Sequence, residues 1–282
     1  MKFHIQLETT YSYENPVSFS PHILRVFPRT DLFTRCEKRS FSTLPDARIH
    51  YRNDAFDNTV ASCFFPEADR HLPFRLSLEI DVPEKNPFSF LLDAHALQIP
   101  PRYKDEERAF LASYLVLEGS GPLPAPLAPV GARPTVETLV NLTHWIHENI
   151  AYEERPTGLP RGAYETLSRG NGSCRDQAVL LAEVLRRNGV AARLVSGYLW
   201  EGDKPAGERH AESSLHMWTE AFLPGAGWIG LDPANGVLAD HHFIAAAVGR
   251  TAQDVAPLAG SYYASEPVAS KLESRVSVVK AG

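Results

Sequence analysis

The hydrophobic pattern of this chain changes its period along the sequence, and that change restricts the fold more than any other feature. Over roughly the first eighty residues, apolar and polar side chains alternate, as in residues 3–13 and in the stripe from Leu72 to Val82. Alternation of period two is typical of half-buried strands. Turn-forming residues such as 53–58 separate further short apolar runs, so residues 1–82 are predicted to form a β-sandwich.

Helical periodicity replaces this alternation further along the chain. Residues 104–117 carry acidic side chains in a first turn, followed by an apolar face of Phe110, Leu111, Tyr114 and Leu115. Residues 119–134 are rich in proline and glycine, which predicts a connector. A second amphipathic helix is predicted from about Thr135, so residues 83–134 are interpreted as a helix followed by a connector.

A third helical run begins with the segment Gly170-Asn171-Gly172-Ser173-Cys174-Arg175-Asp176. Ser173 and Asp176 fit the capping pattern in which a hydroxyl residue at the helix start is followed three positions later by an acid. This spacing predicts Ser173 as the N-cap and places Cys174 in the first turn. A thiol there faces unpaired backbone N–H groups and the positive end of the helix dipole, so we expect a lowered Cys174 pKa.

A β-hairpin is predicted within residues 215–232, where two strand-like runs flank a turn rich in glycine. If Phe222 pairs with Trp228, then His216 and Asp232 are diagonal neighbours on one face of the hairpin. A slip of one residue would put them on opposite faces. The pattern therefore predicts a pair of histidine and carboxylate side chains, provided that this register holds.

Cys174, His216 and Asp232 together form a candidate catalytic set. Covalent acyl transfer requires a nucleophile, a base within hydrogen-bond reach of it and a group that orients the base. Taken singly, the three residues have simpler interpretations as a buried structural thiol, a half-buried histidine and a turn-forming aspartate. The helix cap and the hairpin favour the catalytic interpretation.

Other histidines are interpreted as structural. His144 and His147 lie three positions apart on the second predicted helix, but no cysteine or matching carboxylate motif accompanies them. His241 and His242 lie beyond the hairpin, in a polar segment before an apolar run. No metal site is therefore predicted.

Three separate blocks resemble, in this order, the core of the transglutaminase-like superfamily. They are Gly172-Ser173-Cys174-Arg175-Asp176, Ser214-Leu215-His216-Met217-Trp218-Thr219-Glu220 and Gly227-Trp228-Ile229-Gly230-Leu231-Asp232-Pro233-Ala234. The strand-rich start also looks like the N-terminal region of bacterial members. The resemblance implies an α+β fold, in which the β-sandwich precedes a papain-like core over residues 135–282 that includes the C-terminal strands. It also implies a triad acting on amide bonds, with Cys174 as nucleophile, His216 as base and Asp232 as the residue that orients the base.

Two classes of function are open at this point. The first is an enzyme that forms a thioester from a peptide or glutamine-type amide and passes the acyl group to water or to an amine. Water as acceptor makes it an amide hydrolase or cysteine protease, and an amine makes it a transglutaminase. The second is a non-catalytic scaffold that binds peptides and retains the triad. The Cys174 backbone N–H is a natural oxyanion donor, and no side-chain donor is identified upstream.

Composition limits the partners. The chain has 28 Lys and Arg against 34 Asp and Glu, a net charge of −6, and no basic run, so nucleic acid is not an expected partner. It lacks an apolar run of about 18 residues, and its first eight residues are typical of a strand rather than a signal peptide. Three cysteines without a CxxC spacing favour a reducing cytoplasm. A protein or peptide substrate is expected, without a membrane partner or cofactor.

Overall fold

The computed structural model describes residues 1–30, 34–129, 131–155, 157–202 and 215–281, which form an α+β fold. The helices of these residues are α1 (Asp105–Leu111), α2 (Thr135–Asn149), α3 (Ala163–Arg169) and α4 (Cys174–Arg187), with 3₁₀ turns at Ala94–Ala96 and Ala112–Leu115. The strands are β1 (Lys2–Phe19), β2 (His22–Leu24), β3 (Arg35–Thr43), β4 (Arg48–Asn53), β5 (Thr59–Phe64), β6 (Asp69–Asp81), β7 (Gln98–Ile99), β8 (Arg133–Pro134), β9 (Ala151–Tyr152), β10 (Asn171–Gly172), β11 (Ala192–Leu199), β12 (His216–Leu223), β13 (Gly227–Asp232), β14 (Val237–Leu238), β15 (Phe243–Gly249), β16 (Leu258–Ala259), β17 (Tyr262–Tyr263) and β18 (Ser270–Lys280). None of the described helices is long and apolar enough to cross a membrane.

Two antiparallel sheets form the N-terminal β region. In the first, β1 lies between β6 and β18 and also pairs with β17, while β3 pairs with the far side of β6. The second sheet has the order β16-β2-β5-β4. The alternating stripe of β6 is buried as predicted, in a hydrophobic cluster to which both sheets contribute; its members include Leu72, Phe74, Leu76, Leu78 and Ile80.

The C-terminal strands lie in this N-terminal region, whereas the sequence analysis groups them with the core of residues 135–282. Strand β18 pairs with β1 from Phe3 opposite Lys280 to Tyr13 opposite Ser270. Strands β16 and β17 pair with β2 and β1. The physical reason is that β1 would otherwise present a long unpaired edge. Alternating side chains identify a strand, but they do not identify the strand with which it pairs.

The first predicted helix is shorter in the structure. Helix α1 ends at Leu111 and continues into the 3₁₀ turn. Leu111 is buried, but Phe110 is 85% exposed and does not belong to the buried face on which it was predicted. Neighbouring residues of a helix point about 100° apart, so burial of Leu111 turns Phe110 toward solvent.

Helix α4 packs against a five-stranded antiparallel sheet with the order β14-β13-β12-β11-β15. The helix contributes Ala178, Leu181 and Leu185 to a hydrophobic cluster shared with this sheet. Helix α2 adds its predicted stripe to the same cluster, and the stripe consists of Leu139, Leu142, Ile146 and Ile150. This α4-and-sheet unit, here called the core, places the start of α4 beside β12 and β13.

The N-terminal β region docks on the β11 and β15 side of the core. The Tyr198 hydroxyl donates a hydrogen bond to the Val26 carbonyl at 2.6 Å. The buried Asn58 amide donates from Nδ2 to the Val248 carbonyl and accepts the Val248 N–H at Oδ1, both at 2.8 Å. The Asn58 side chain thus pairs with β15 as another strand would, and it ties the two regions together.

Candidate active site

Cys174 is the first residue of α4, and Ser173 is its N-cap, as predicted. The backbone N–H and the hydroxyl of Ser173 both donate to Asp176 Oδ2, at 2.8 and 3.0 Å. These bonds fix the start of the helix. Cys174 therefore lies where unpaired N–H groups and the helix dipole favour a thiolate.

Asp176 joins the helix start to the segment of residues 153–161. Its side chain is fully buried; Arg155 Nη1 donates to both carboxylate oxygens at 2.7 Å, and the Arg161 N–H donates to Oδ1 at 2.7 Å. Burial raises the pKa of Asp176, but the bonds from Arg155, Arg161 and Ser173 outweigh it and hold the pKa below its ordinary value. A buried carboxylate in the first turn thus anchors residues that precede the helix.

The predicted hairpin register is confirmed. Phe222 lies opposite Trp228, and one further pair, Leu223 opposite Gly227, extends the ladder, so residues 224–226 form the turn. His216 begins β12 and Asp232 ends β13. With this register both side chains lie on the same face of the sheet, the face that also carries Trp218, and they meet the start of α4 at the end of the sheet.

The structure brings the three predicted site residues together. His216 Nε2 is 3.0 Å from Asp232 Oδ2. The Cys174 thiol is hydrogen-bonded to the His216 ring. Cys174 is 7% exposed, His216 1% and Asp232 0%. Cys174 is therefore the most exposed member of the set.

Electrostatics favour a thiolate and imidazolium pair. Burial raises the pKa of Cys174, but the His216 charge, the His216 hydrogen bond and the Met217 N–H outweigh burial and lower it. Burial opposes the His216 imidazolium, but the charges of Asp232 and Cys174 raise the His216 pKa well above its ordinary value. Burial also raises the pKa of Asp232, and His216 and Asn235 more than compensate, so this carboxyl stays ionised.

Aromatic side chains pack around the His216 ring, and hydrogen bonds from neighbouring residues hold its partner Asp232. Trp218 stacks on it with ring centroids 6.3 Å apart, and Phe243 lies 6.0 Å away. Asp232 Oδ2 also accepts a bond from Asn235 Nδ2 at 2.6 Å, and its Oδ1 accepts the Ala234 N–H at 3.0 Å. The carboxylate is therefore held in place by donors other than the histidine.

Tyr152 is a site residue that the sequence analysis misses. It lies in β9, which pairs in parallel with β10 so that Tyr152 is opposite Gly172, two positions before the nucleophile candidate. Burial raises the pKa of Tyr152, and the negative charge of Cys174 raises it further. The hydroxyl therefore stays protonated near the sulfur. A parallel pair of two-residue strands has no hydrophobic period, so the sequence carries no signal for this contact.

His147 and His242, both interpreted as structural from the sequence, are each held by another partner. His147 Nδ1 is 3.0 Å from the Ala234 carbonyl. Within the described ranges, Asp240, His241 and His242 are the cluster whose side chains could hold a metal ion, with ligand atoms within 4.8 Å of one another. His242 Nδ1 is 2.7 Å from Asp240 Oδ1, so these side chains already bind each other. The expectation that no metal takes part stays a prediction.

Two family models match this chain. The class that the fold defines is the papain-like α+β fold of cysteine proteases and transglutaminase-like proteins. Residues 128–233 match the transglutaminase-like superfamily, and residues 3–81 match the bacterial transglutaminase-like N-terminal region. The chain therefore belongs to the transglutaminase-like superfamily, in the bacterial form with this N-terminal region.

Relatives from several bacteria share parts or most of the chain. Uncharacterized proteins of Mycobacterium bovis and Mycobacterium tuberculosis are 37% identical over 136 residues, which is 46% of this chain and 43% of each relative. The match thus spans less than half the length of these relatives. An uncharacterized Mycobacterium leprae protein is 27% identical over 265 residues, 90% of either chain. The protein-glutamine gamma-glutamyltransferase of Pseudomonas aeruginosa is 32% identical over 109 residues, 36% of this chain and 16% of that protein.

A solved structure shares the whole architecture. A candidate cysteine protease from Cytophaga hutchinsonii superposes with a TM-score of 0.71, over 100% of this chain and 92% of that chain, at 19% sequence identity. At this identity the likeness shows a common fold. It extends over both the N-terminal β region and the core.

Proposed function

We propose that this protein is a thiol-dependent acyl-transfer enzyme that acts on peptide or glutamine-type amides. The observation that carries the proposal is the hydrogen-bonded series from the Cys174 thiol through His216 to Asp232, with Cys174 as its most exposed member. A nucleophile, a base and an orienting carboxylate in this order are the parts that covalent acyl transfer needs.

The first half of the reaction forms a thioester. The Cys174 thiolate attacks the carbonyl carbon of the amide, and the carbonyl oxygen takes the negative charge. Backbone N–H groups in the first turn of a helix have no partner within that helix. The Cys174 N–H is one of them, and it donates a hydrogen bond to this oxygen. We assign the Tyr152 hydroxyl as a second donor. The C–N bond then breaks as the His216 imidazolium gives its proton to the leaving amine.

The second half releases the acyl group. Neutral His216 takes a proton from water or from a primary amine, whose oxygen or nitrogen attacks the thioester carbonyl. The C–S bond breaks, and the thiolate and imidazolium pair is restored. Asp232 holds the ring and stabilises the imidazolium in both halves. Water as acceptor makes the protein an amide hydrolase or cysteine protease, and an amine makes it a transglutaminase.

The Pseudomonas aeruginosa relative supports glutamine side chains as the first acyl donors to test, since that protein is named a protein-glutamine gamma-glutamyltransferase. The test is mass spectrometry of a glutamine-containing peptide library incubated with the protein, with and without a primary amine. Amine incorporation indicates transfer, whereas deamidation or backbone cleavage indicates hydrolysis. Cys174→Ala must abolish every product, and Cys36→Ala is the matched control that must not.

A non-catalytic peptide-binding scaffold is the alternative, and cysteine reactivity separates it from an enzyme. Cys36 is a useful internal reference because burial raises its pKa, although it is more exposed than Cys174. An activated Cys174 is alkylated by iodoacetamide faster than Cys36 at neutral pH, and faster than a free thiol. If Cys174 reacts no faster than either, the protein holds no activated nucleophile and the scaffold is favoured.

We also propose the cytoplasm as the compartment. Cys36, Cys63 and Cys174 are all unpaired thiols, which suits a reducing environment. Fractionation of the native host with an antibody to the protein is the measurement. Recovery from outside the cytoplasmic fraction would overturn this proposal and leave the chemistry at Cys174 unaffected.

A further inference from the structure

A cleft of about 1020 Å³ lies at the end of α4 remote from Cys174. Its walls come from residues 94–95 and 97–103, from Arg108, Ala112, Leu115 and Ala132, and from Arg186 and Gly189 at the helix end. Fourteen helical residues at about 1.5 Å each place this cleft about 20 Å along the helix from the nucleophile. It is therefore separate from the site described above.

All the charged or titratable side chains that line the cleft, apart from the Tyr103 phenol, are basic. They are His95, Arg102, Arg108 and Arg186. The described lining contains no aspartate or glutamate, although the whole chain has a net charge of −6. A concave surface lined by one sign of charge attracts ligands of the opposite sign.

Two of these guanidinium groups are available to a ligand. Arg186 is occupied, because it donates to the carbonyls of Ala192 and Arg250 at 3.1 and 2.7 Å. Arg102 and Arg108 are exposed, and neither side chain makes a hydrogen bond or an ion pair with the part of the chain that the structure describes. A guanidinium presents a planar fork of donors that matches a carboxylate.

The floor of the cleft is apolar and rigid. Ile99, Pro101 and Tyr103 are buried in it, and Leu97 is 56% exposed at its edge. The Tyr103 hydroxyl donates to the Phe222 carbonyl at 3.1 Å and accepts the Ala191 N–H at 2.9 Å. The floor therefore keeps its shape when a ligand binds, which lowers the entropic cost of binding.

We propose that this cleft binds an extended acidic peptide segment in which carboxylates alternate with apolar side chains. The exposed arginines would bind the carboxylates, and the apolar floor would take the side chains between them. The volume is at the upper end of the roughly 300–1,000 Å³ of small-molecule pockets, which favours a peptide over a single small anion. Nucleic acid is disfavoured because two free arginines neutralise few phosphates. The proposal does not depend on catalysis at Cys174.

Fluorescence anisotropy of the full chain with a fluorescein-labelled peptide of glutamates interleaved with leucines tests the proposal. We expect saturable binding that weakens with added salt and falls at least about tenfold in the double variant Arg102→Glu and Arg108→Glu. The matched control is the double variant Arg52→Glu and Arg70→Glu. It makes the same charge change at two exposed arginines outside the cleft, and it should bind within about twofold of wild type.

Two results would overturn the proposal. One is equal loss of affinity in both double variants, which would mean that net charge and not the cleft governs binding. The other is evidence for a simple anion site. That evidence would be undiminished affinity for a peptide in which serines replace the leucines, or full competition by inorganic phosphate at the same concentration as the peptide. Circular dichroism of both variants establishes that they are folded before binding is compared.

Discussion

Replacing Asp232 by asparagine tests how the ion pair between Cys174 and His216 is maintained. In the structure Asp232 Oδ2 accepts bonds from His216 and Asn235, and Oδ1 accepts the Ala234 N–H. The amide of an asparagine has one acceptor oxygen. If that oxygen stays on His216, the amide NH₂ faces the Ala234 N–H, so one bond is lost and two donors meet.

The size of the effect follows from the bond that remains. The substitution removes one of the two charged partners of this bond. Bonds to a charged group contribute about 1.5–3 kcal/mol and neutral bonds about 0.5–1.5, so a charged partner adds about 1–2 kcal/mol. At about 1.4 kcal/mol per tenfold, turnover should fall roughly 5- to 30-fold. In serine triads the same change costs on the order of 10⁴, because it leaves the wrong imidazole tautomer. Here both ring nitrogens of the His216 imidazolium are donors, and an amide oxygen still accepts one of them.

The assay is turnover of any accepted peptide by four variants, Cys174→Ala, His216→Ala, Asp232→Ala and Asp232→Asn. We expect no covalent turnover from the first and almost none from the second. Asp232→Ala should be more damaging than Asp232→Asn, because nothing then orients the ring. The pH profile adds a second readout. Asp232 raises the His216 pKa, so in Asp232→Asn the imidazolium deprotonates at a lower pH and the alkaline fall of activity moves to lower pH.

One result would refute this reasoning. If Asp232→Asn were as inactive as Cys174→Ala while its circular dichroism and melting temperature matched wild type, the ion pair would not account for the site. The negative charge of Asp232 would then be indispensable, and a neutral acceptor that orients the ring would not be enough.

Three further predictions follow from bonds near the site and between the two regions. Tyr152→Phe should lower kcat on the order of 10²-fold with little change in KM, measured by steady-state kinetics, because one oxyanion donor is lost. Asp176→Asn should lower the free energy of unfolding in urea at neutral pH by about 3 kcal/mol, since it breaks a buried ion pair with Arg155. The Asp176 pKa is lowered in the folded state, so this difference is present above the ordinary carboxyl pKa of about 4 and should shrink as pH falls below it. Asn58→Ala removes two buried bonds to Val248 and should cost about 2–3 kcal/mol by the same measurement, and an unchanged value would mean that the bonds are replaced by water.

Local features of the site could be predicted from the sequence because short-range chemistry determines them. The N-cap at Ser173 can be predicted from two residues that lie three positions apart. The hairpin register can be predicted from a short turn between two apolar runs. Both fix the positions of Cys174, His216 and Asp232 with little help from the rest of the chain. The burial of alternate residues in β6 follows in the same way, from a period that a single strand displays.

The features of the fold and of the site that could not be predicted depend on contacts between segments that are distant in the sequence. Alternation of side chains allows β18 to pair with several strands. It pairs with β1 because that strand has an edge that no other strand covers. Tyr152 is placed near Cys174 by a parallel pair of strands that is too short to show a hydrophobic period. Asp176 matches a capping pattern, but its bonds to Arg155 and Arg161 depend on the path of the preceding loop, which the pattern does not specify.

The pairing of β1 with β18 has a consequence for synthesis on the ribosome. Thr9 and Ser274 face each other across this pair, yet they are 265 positions apart in the chain. During translation β1 emerges with one edge unpaired and must wait for nearly the whole core to be made before its partner arrives. An exposed strand edge recruits other strands, and partly made chains are prone to aggregate through such edges. The nascent protein is therefore most vulnerable while its core is being translated, and slow translation there should lower its soluble yield.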